Sequence, residues 1–172
     1  MSAKRILYWD ACVFIGLLNQ EKGRIDETLK VWREAERGET EIWTSALTLV
    51  EVFKVKCDGA TNALDPSLDF PVAEMFDQPW VFKVTLDPSI AREARRLLRS
   101  FPKCKKPTDA VHLATASAYS VHELHTWDGN DLIALDRLVP RKAGGELRIC
   151  TPYEAIQSAV ASDPAQQGLF ES

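Results

Sequence analysis

The chain is poor in the residues on which most enzyme classes depend. Its four cysteines, Cys12, Cys57, Cys104 and Cys150, stand far apart, with no CxxC pair and no thiol–imidazole spacing of the zinc type. A zinc ribbon is thereby excluded, and free thiols are expected. There are three histidines, and only His122 and His125 are close together; with His112 they read as ordinary helix and strand residues. No GxSxG elbow, P-loop or glycine-rich dinucleotide fingerprint is present, which removes the usual serine-hydrolase, NTPase and dinucleotide-binding signatures. No run approaches the roughly 18 apolar residues of a membrane span, and the N-terminus has no signal-type apolar region. A cytoplasmic protein without a membrane partner is expected.

What remains is a chain of 172 residues, 45% hydrophobic, enough for one domain with a real core. We place that domain at residues 1–160 and read 161–172, with Pro164, Gln166, Gln167 and Gly168, as a frayed tail. Short apolar runs predict strands at 6–9, 41–43, 80–84, 123–126 and 147–150. Between them lie helical patterns: 13–18, which Asp10 can cap; 25–37, ended by Gly38; a helix capped by Thr44 or Ser45 and running to about 57; 88–100; 107–120; and one opened by Pro152. Residues 58–71, with Gly59, Asn62, Pro66 and Pro71, read as a loop long enough to move over a site. The alternation predicts an α/β fold, three α/β/α layers around a central, mainly parallel sheet.

The net charge of −4 is unevenly spread. Arg92, Arg95, Arg96, Arg99, Lys103, Lys105 and Lys106 face only Asp87 and Glu93 between residues 87 and 106. Such a stretch is either a solvated helix face or a flank for a polyanion.

The acids carry the chemistry. Asp10 and Asp128 each follow a predicted strand, where a parallel sheet collects ligands. Glu51 lies among Leu49, Val50, Val52 and Phe53, where a carboxylate needs a partner, either a basic side chain or a cation. Asp109 sits in the first turn of an apolar, small-residue helix, and Asp131 follows Asp128 in a Gly-Asn turn. Singly, each has a plain structural role: Asp10 as an N-cap, Asp109 on the helix dipole, Asp128 and Asp131 as turn residues. Together they match what hard Mg²⁺ or Mn²⁺ requires, several carboxylates and no side-chain nucleophile.

Four segments, Tyr8-Trp9-Asp10-Ala11-Cys12, Ser45 to Glu51, Thr108 to Ala114 and Thr126 to Asp131, with the closing Ile149 to Ile156, resemble a PIN-domain ribonuclease, especially the VapC-type toxins of type II toxin–antitoxin pairs. The resemblance runs from Ile6 to about Ile156. It implies a PIN-like domain in which Asp10, Glu51, Asp109 and Asp128 bind Mg²⁺ or Mn²⁺, Asp131 is an additional or water-mediated ligand, and Thr126 orients the last acid. It further implies water attacking an RNA phosphodiester to leave 3′-hydroxyl and 5′-phosphate ends, a small antitoxin as partner, and a homodimer. Two positions depart from the pattern: Cys12 stands where Ser, Thr or Asn is usual, and Trp127 where a basic or polar residue is frequent. A haloacid-dehalogenase-type phosphatase would need an acid at the position of Cys12. The remaining alternatives are a non-catalytic PIN-fold module binding nucleic acid or protein, and a housekeeping or DNA-acting PIN nuclease with the same acids.

Overall fold

The computed structural model describes residues 4–59 and 63–162. Its frame is one sheet of five strands, β1 (Arg5–Trp9), β2 (Thr40–Ser45), β3 (Val81–Val84), β4 (Glu123–His125) and β5 (Arg148–Cys150). They lie in the order β3-β2-β1-β4-β5, and every neighbouring pair is parallel. Parallel strands need crossovers, supplied from β1 to β2 by α1 (Ala11–Leu18) and α2 (Ile25–Glu36), from β2 to β3 by α3 (Thr48–Glu51) and α4 (Asp69–Phe76), and from β3 to β4 by α5 (Pro88–Ser100) and α6 (Pro107–Ala118); a 3₁₀ turn at Ile133–Leu135 lies between β4 and β5, and α7 (Pro152–Ser162) follows β5. The expected three-layer α/β/α architecture is what forms.

Alternation along β1 divides the core. Leu7 and Trp9 point to the face covered by Val13 and Phe14 of α1, Val31 of α2 and Phe76 of α4. Tyr8 points to the opposite face, with Leu97 of α5, Leu113 of α6 and Leu124 of β4. All three β1 side chains are fully buried, each apolar one of this size contributing roughly 1.5–3 kcal/mol. A central strand flanked by parallel neighbours has both faces covered, which is why β1 reads as an unbroken apolar run.

The helices obey local rules. Asp87 caps α5 by accepting from the amides of Ser89 and Ile90, Pro88 opens it, and Ile90, Ala94 and Leu97 form its buried stripe. Asp10 caps α1 by accepting from the Val13 amide at 3.2 Å. Gly38, at φ +78°, stops α2 where a side chain would be strained.

Two expectations are corrected. The helix placed from Thr44 or Ser45 to about residue 57 is a single turn, Thr48–Glu51. Its outer face carries exposed Leu49 and Val50, and Phe53 beyond it is exposed, whereas Val52 and Val55 are buried. Turning Val52 and Val55 into the core pulls the chain out of the helix, and a short 3₁₀ turn at Lys56–Asp58 follows. The segment 58–71 is not one loop either: a 3₁₀ turn at Pro66–Leu68 leads into α4, which begins at Asp69. Pro71 does not break it, because proline is tolerated in a first helical turn, whose amides have no intrahelical partner. Beyond it Val72, Met75 and Phe76 make a buried i, i+3, i+4 stripe. Residues 60–62 of that segment, and residues 163–172 of the tail expected to fray from 161, lie outside the described residues; α7 itself runs to Ser162, slightly past the expected end of the domain.

Candidate functional site

Parallel pairing of β1 with β4 sets Trp9 beside His125, so the residues that follow them, Asp10 and Thr126, emerge together at the carboxyl edge of the sheet. Thr126 joins two acids: its Oγ1 donates to Asp10 Oδ2 at 2.5 Å and accepts from the Asp128 amide at 2.9 Å. Asp10 is almost fully buried. Burial pushes its carboxyl above the ordinary range, against the pull of His112 and of the bonds from Cys12, Thr126 and Val13. Cys12 supplies one of those bonds, its thiol donating to Asp10 Oδ1 at 2.9 Å, while the Trp127 amide donates to its sulfur at 3.0 Å. Burial and Asp10 push this thiol well up, so it stays protonated. Cys12 therefore occupies the donor role that a hydroxyl residue would fill. Trp127, the second departure, packs over Gly16 with the Arg24 guanidinium 5.4 Å from its ring centroid. Its indole is half-buried scaffold.

Three acids converge at this edge. Oxygens of Asp109, Asp128 and Asp131 lie within 4.8 Å of one another. Asp128 Oδ1 also accepts from the amides of Asn130 and Asp131, which folds the Gly-Asn turn back on itself. Asp109 Oδ2 is buried and has no hydrogen-bond partner. Burial first, then the charges of Asp128 and Asp131, push this carboxyl up to about 6, against Lys106 and His112. Lys106, just before α6, sets its Nζ 2.5 Å from Asp131 and 3.5 Å from Asp128. Asp131 holds the Lys106 ammonium above its ordinary range, and Lys106 holds Asp131 below its own. Glu51 is partly exposed and reaches α6 through His112, whose Nε2 lies 2.9 Å from Glu51 Oε2. The basic or cationic partner anticipated for Glu51 from its apolar neighbours is thus, within the protein, an imidazole.

The donor set fits a divalent cation of the Mg²⁺ or Mn²⁺ class. It offers hard oxygens, three of them already clustered, and one is a buried carboxylate oxygen with nothing else to bind. A second grouping, Glu123, His125 and Cys150, is fully buried but does not fit. Glu123 is already paired with Arg5 and Arg148, and His125 is spanned by Trp9 and Glu123. A cation there would face two guanidiniums.

A family model for the PIN domain matches residues 7–138 of this sequence, the stretch that carries Asp10, Glu51, Asp109, Asp128 and Asp131. The chain belongs to the PIN-domain family. Among solved structures, this PIN domain is similar to VapBC2 from Rickettsia felis bound to a DNA fragment from their promoter, at 12% identity and TM-score 0.58, over 84% of this chain and 96% of that one. It is also similar to Mycobacterium tuberculosis VapC20, described as a sarcin-ricin loop cleaving toxin, at 16% identity and TM-score 0.54, over 74% and 94%. FitAcB from Neisseria gonorrhoeae matches at 16% identity and TM-score 0.51, over 86% and 98%. No curated protein matches the sequence. At these identities the likeness is one of fold.

The histidines are where sequence reasoning fell short. Read as ordinary helix and strand residues, His112 and His125 are both buried in polar networks, and His112 touches Glu51. A signal was available: His112 lies three residues after Asp109, one helical turn away on the same face. Of the basic stretch, all seven side chains are exposed, Arg96 pairs with Glu93, and Lys106 points at the acids. Arg92, Arg95, Arg99, Lys103 and Lys105 make no ion pair among the described residues. No helix among those residues is long and apolar enough to cross a membrane.

Proposed function

We propose that this PIN domain is a metal-dependent endoribonuclease that hydrolyses RNA phosphodiester bonds, and that it acts as the toxin of a type II toxin–antitoxin pair. The observation that carries the reading is the unpartnered, buried oxygen of Asp109 beside Asp128 and Asp131. Keeping like charges together and one of them unsatisfied costs stability, which a structural role does not repay and a cation does. The similar VapC20, VapBC2 and FitAcB structures support the toxin role and a small antitoxin as partner; a homodimer and a cytoplasmic location complete the proposal.

In this reading Asp10, Glu51, Asp109 and Asp128 hold Mg²⁺ or Mn²⁺, with Asp131 as an additional ligand. A bound divalent ion would lower the pKa of a water and stabilise charge on the phosphate oxygens. The chain's own residues prepare for it. Thr126 and Cys12 fix both oxygens of Asp10, and the Asp128 amide is tied to the same threonine. Lys106 neutralises Asp128 and Asp131 while no cation is bound, and its exposed, flexible stem lets it swing toward a substrate phosphate.

The test is hydrolysis of a mixed structured-RNA pool by the purified protein with Mg²⁺, with Mn²⁺ and with EDTA. Cleavage that requires metal and leaves 5′-phosphate ends is expected; absence of cleavage with either ion contradicts the reading. The seat of Lys106 between two acids favours a second reading, a non-catalytic module in which the lysine permanently replaces the cation. Full RNA binding without metal-dependent hydrolysis would select it.

The exposed cations of α5 and the turn after it provide a separate prediction. Replacing Arg95, Arg99 and Lys103 by glutamine is expected to weaken RNA binding and to flatten the slope of log K against log[salt] by about 0.7 for each phosphate left without its cation. An unchanged slope would make this stretch a solvated face.

A further inference from the structure

Glu51 is poorly held by its own element. It ends a helix of one turn whose neighbours Leu49 and Val50 are exposed, and the chain leaves regular structure directly after it. A carboxylate on such a support samples several rotamers unless something else fixes it. That something comes from a buried chain of hydrogen bonds. The Ser45 amide donates to the Tyr8 hydroxyl at 3.0 Å, and that hydroxyl lies 2.8 Å from His112 Nδ1. His112 Nε2 lies 2.9 Å from Glu51 Oε2. Tyr8 and His112 are 0% and 2% exposed, so water does not compete for these bonds.

The direction of every proton follows from the partners. A carboxylate accepts, so the nitrogen facing Glu51 carries hydrogen, and in the neutral imidazole Nδ1 is then the acceptor. The Tyr8 hydroxyl already accepts from the Ser45 amide and has its own proton to give to Nδ1. A phenol keeps its proton at neutral pH, so that donor is always available. Tyr8 thus selects the tautomer that donates to Glu51.

We propose that His112 is a positioning residue for metal binding, with Tyr8 as the group that fixes its tautomer. The pair locks one oxygen of Glu51 and leaves the other free toward the cation. His112 stands one turn after Asp109 on α6, and Tyr8 stands two residues before Asp10 on β1. One rigid unit therefore sets the relation among three acids, one just after β1, one in α3 and one in α6. The inference rests on Glu51 being a metal ligand, and deepens that reading.

The experiment is titration of Mn²⁺ into the full chain by isothermal calorimetry, for wild type, Glu51→Gln, His112→Leu, His112→Gln and Tyr8→Phe, with a thermal melt of each. Outer-shell partners of metal ligands typically control affinity by 10–100-fold. His112→Leu is expected to weaken Mn²⁺ binding by about that factor. His112→Gln, whose amide can place an N–H where Nε2 was, is expected to recover most of it, and Tyr8→Phe to fall between. A role confined to core packing would lower the melting temperature of His112→Leu and leave its Mn²⁺ affinity unchanged; that result overturns the proposal while Glu51→Gln still loses binding. If His112→Leu does not fold, Tyr8→Phe, which deletes one hydroxyl, decides: wild-type affinity in it overturns the proposal. Failure of the wild-type protein to bind Mn²⁺ overturns the metal site itself, and this inference with it.

Discussion

Asp109→Asn is expected to reduce RNA cleavage more than about a hundredfold, consistent with loss of several kcal/mol of metal-borne charge stabilisation. The same substitution is expected to raise the melting temperature of the metal-free protein. Both effects come from one carboxyl. Burial and the neighbouring Asp128 and Asp131 hold it up at about 6, against an ordinary value of 3.8. Because the folded value lies above the unfolded one, the folded state binds this proton more tightly. The group's contribution to stability is therefore fully present below pH 3.8 and is lost as pH rises through about 6. Asparagine does not titrate. The stability advantage of the variant should be largest above pH 6 and should vanish toward pH 4, as read from chelator-treated melts across that range. Mg²⁺ should raise the melting temperature of wild type at neutral pH by mass action and leave the variant nearly unmoved. Undiminished cleavage by the variant would remove Asp109 from the chemistry. A melting difference that does not change with pH would mean that its charge is not what costs stability.

Glu123→Ala is expected to destabilise the fold by about 3 kcal/mol, because removing one partner of a buried pair strands the other. Glu123 is buried and accepts from four groups: Arg5 Nη2 at 2.5 Å, Arg148 Nη1 at 2.6 Å, His125 Nε2 at 3.0 Å and, at 4.0 Å, the Cys150 thiol. The lower end of the range applies because both arginines keep some contact with water. For a domain of this size the fall in melting temperature is roughly 6–12 °C. Burial pushes Glu123 up, but the bond from His125 and the nearby cationic groups outweigh it and hold the carboxyl down at about 2. Burial also lowers His125, whose Nδ1 accepts from the Trp9 indole at 3.2 Å, so the imidazole is neutral at pH 7 and the lasting charges are the two arginines. With a depressed folded value, the stabilisation is present above pH 4.5 and lost only as pH falls through about 2. Thermal melts at pH 7 and pH 3 test both statements. A loss below about 1 kcal/mol at pH 7 would make the network dispensable.

The two groups of candidate metal ligands separate by what surrounds them. Asp109, Asp128 and Asp131 share one exposed lysine and leave an oxygen unbonded. Glu123 has arginines on both sides. The presence of metal-ligating atoms does not distinguish the two, since each group offers three of them close together; the neighbours do.

Much of this was legible in one dimension. Short apolar runs marked the strands, Asp87-Pro88 and Asp10 marked helix starts, and the order of motifs carried the PIN resemblance, because these signals are local and survive without the fold. Asp10, Glu51, Asp109, Asp128 and Asp131 were named from the chain alone. The register that sets Asp10 beside Thr126, the collapse of the Glu51 helix to a single turn, and α4 beginning two residues before Pro71 were decided by long-range burial, which local propensity does not encode. The hydrogen bond joining His112 to Glu51 crosses 61 positions, and that joining Tyr8 to His112 crosses 104. The sequence determined which acids exist and on which kind of element each sits. Only the tertiary structure decided which of them stand together, which are satisfied, and which imidazole holds one in place, because desolvation and charge–charge coupling depend on distance in space and not along the chain.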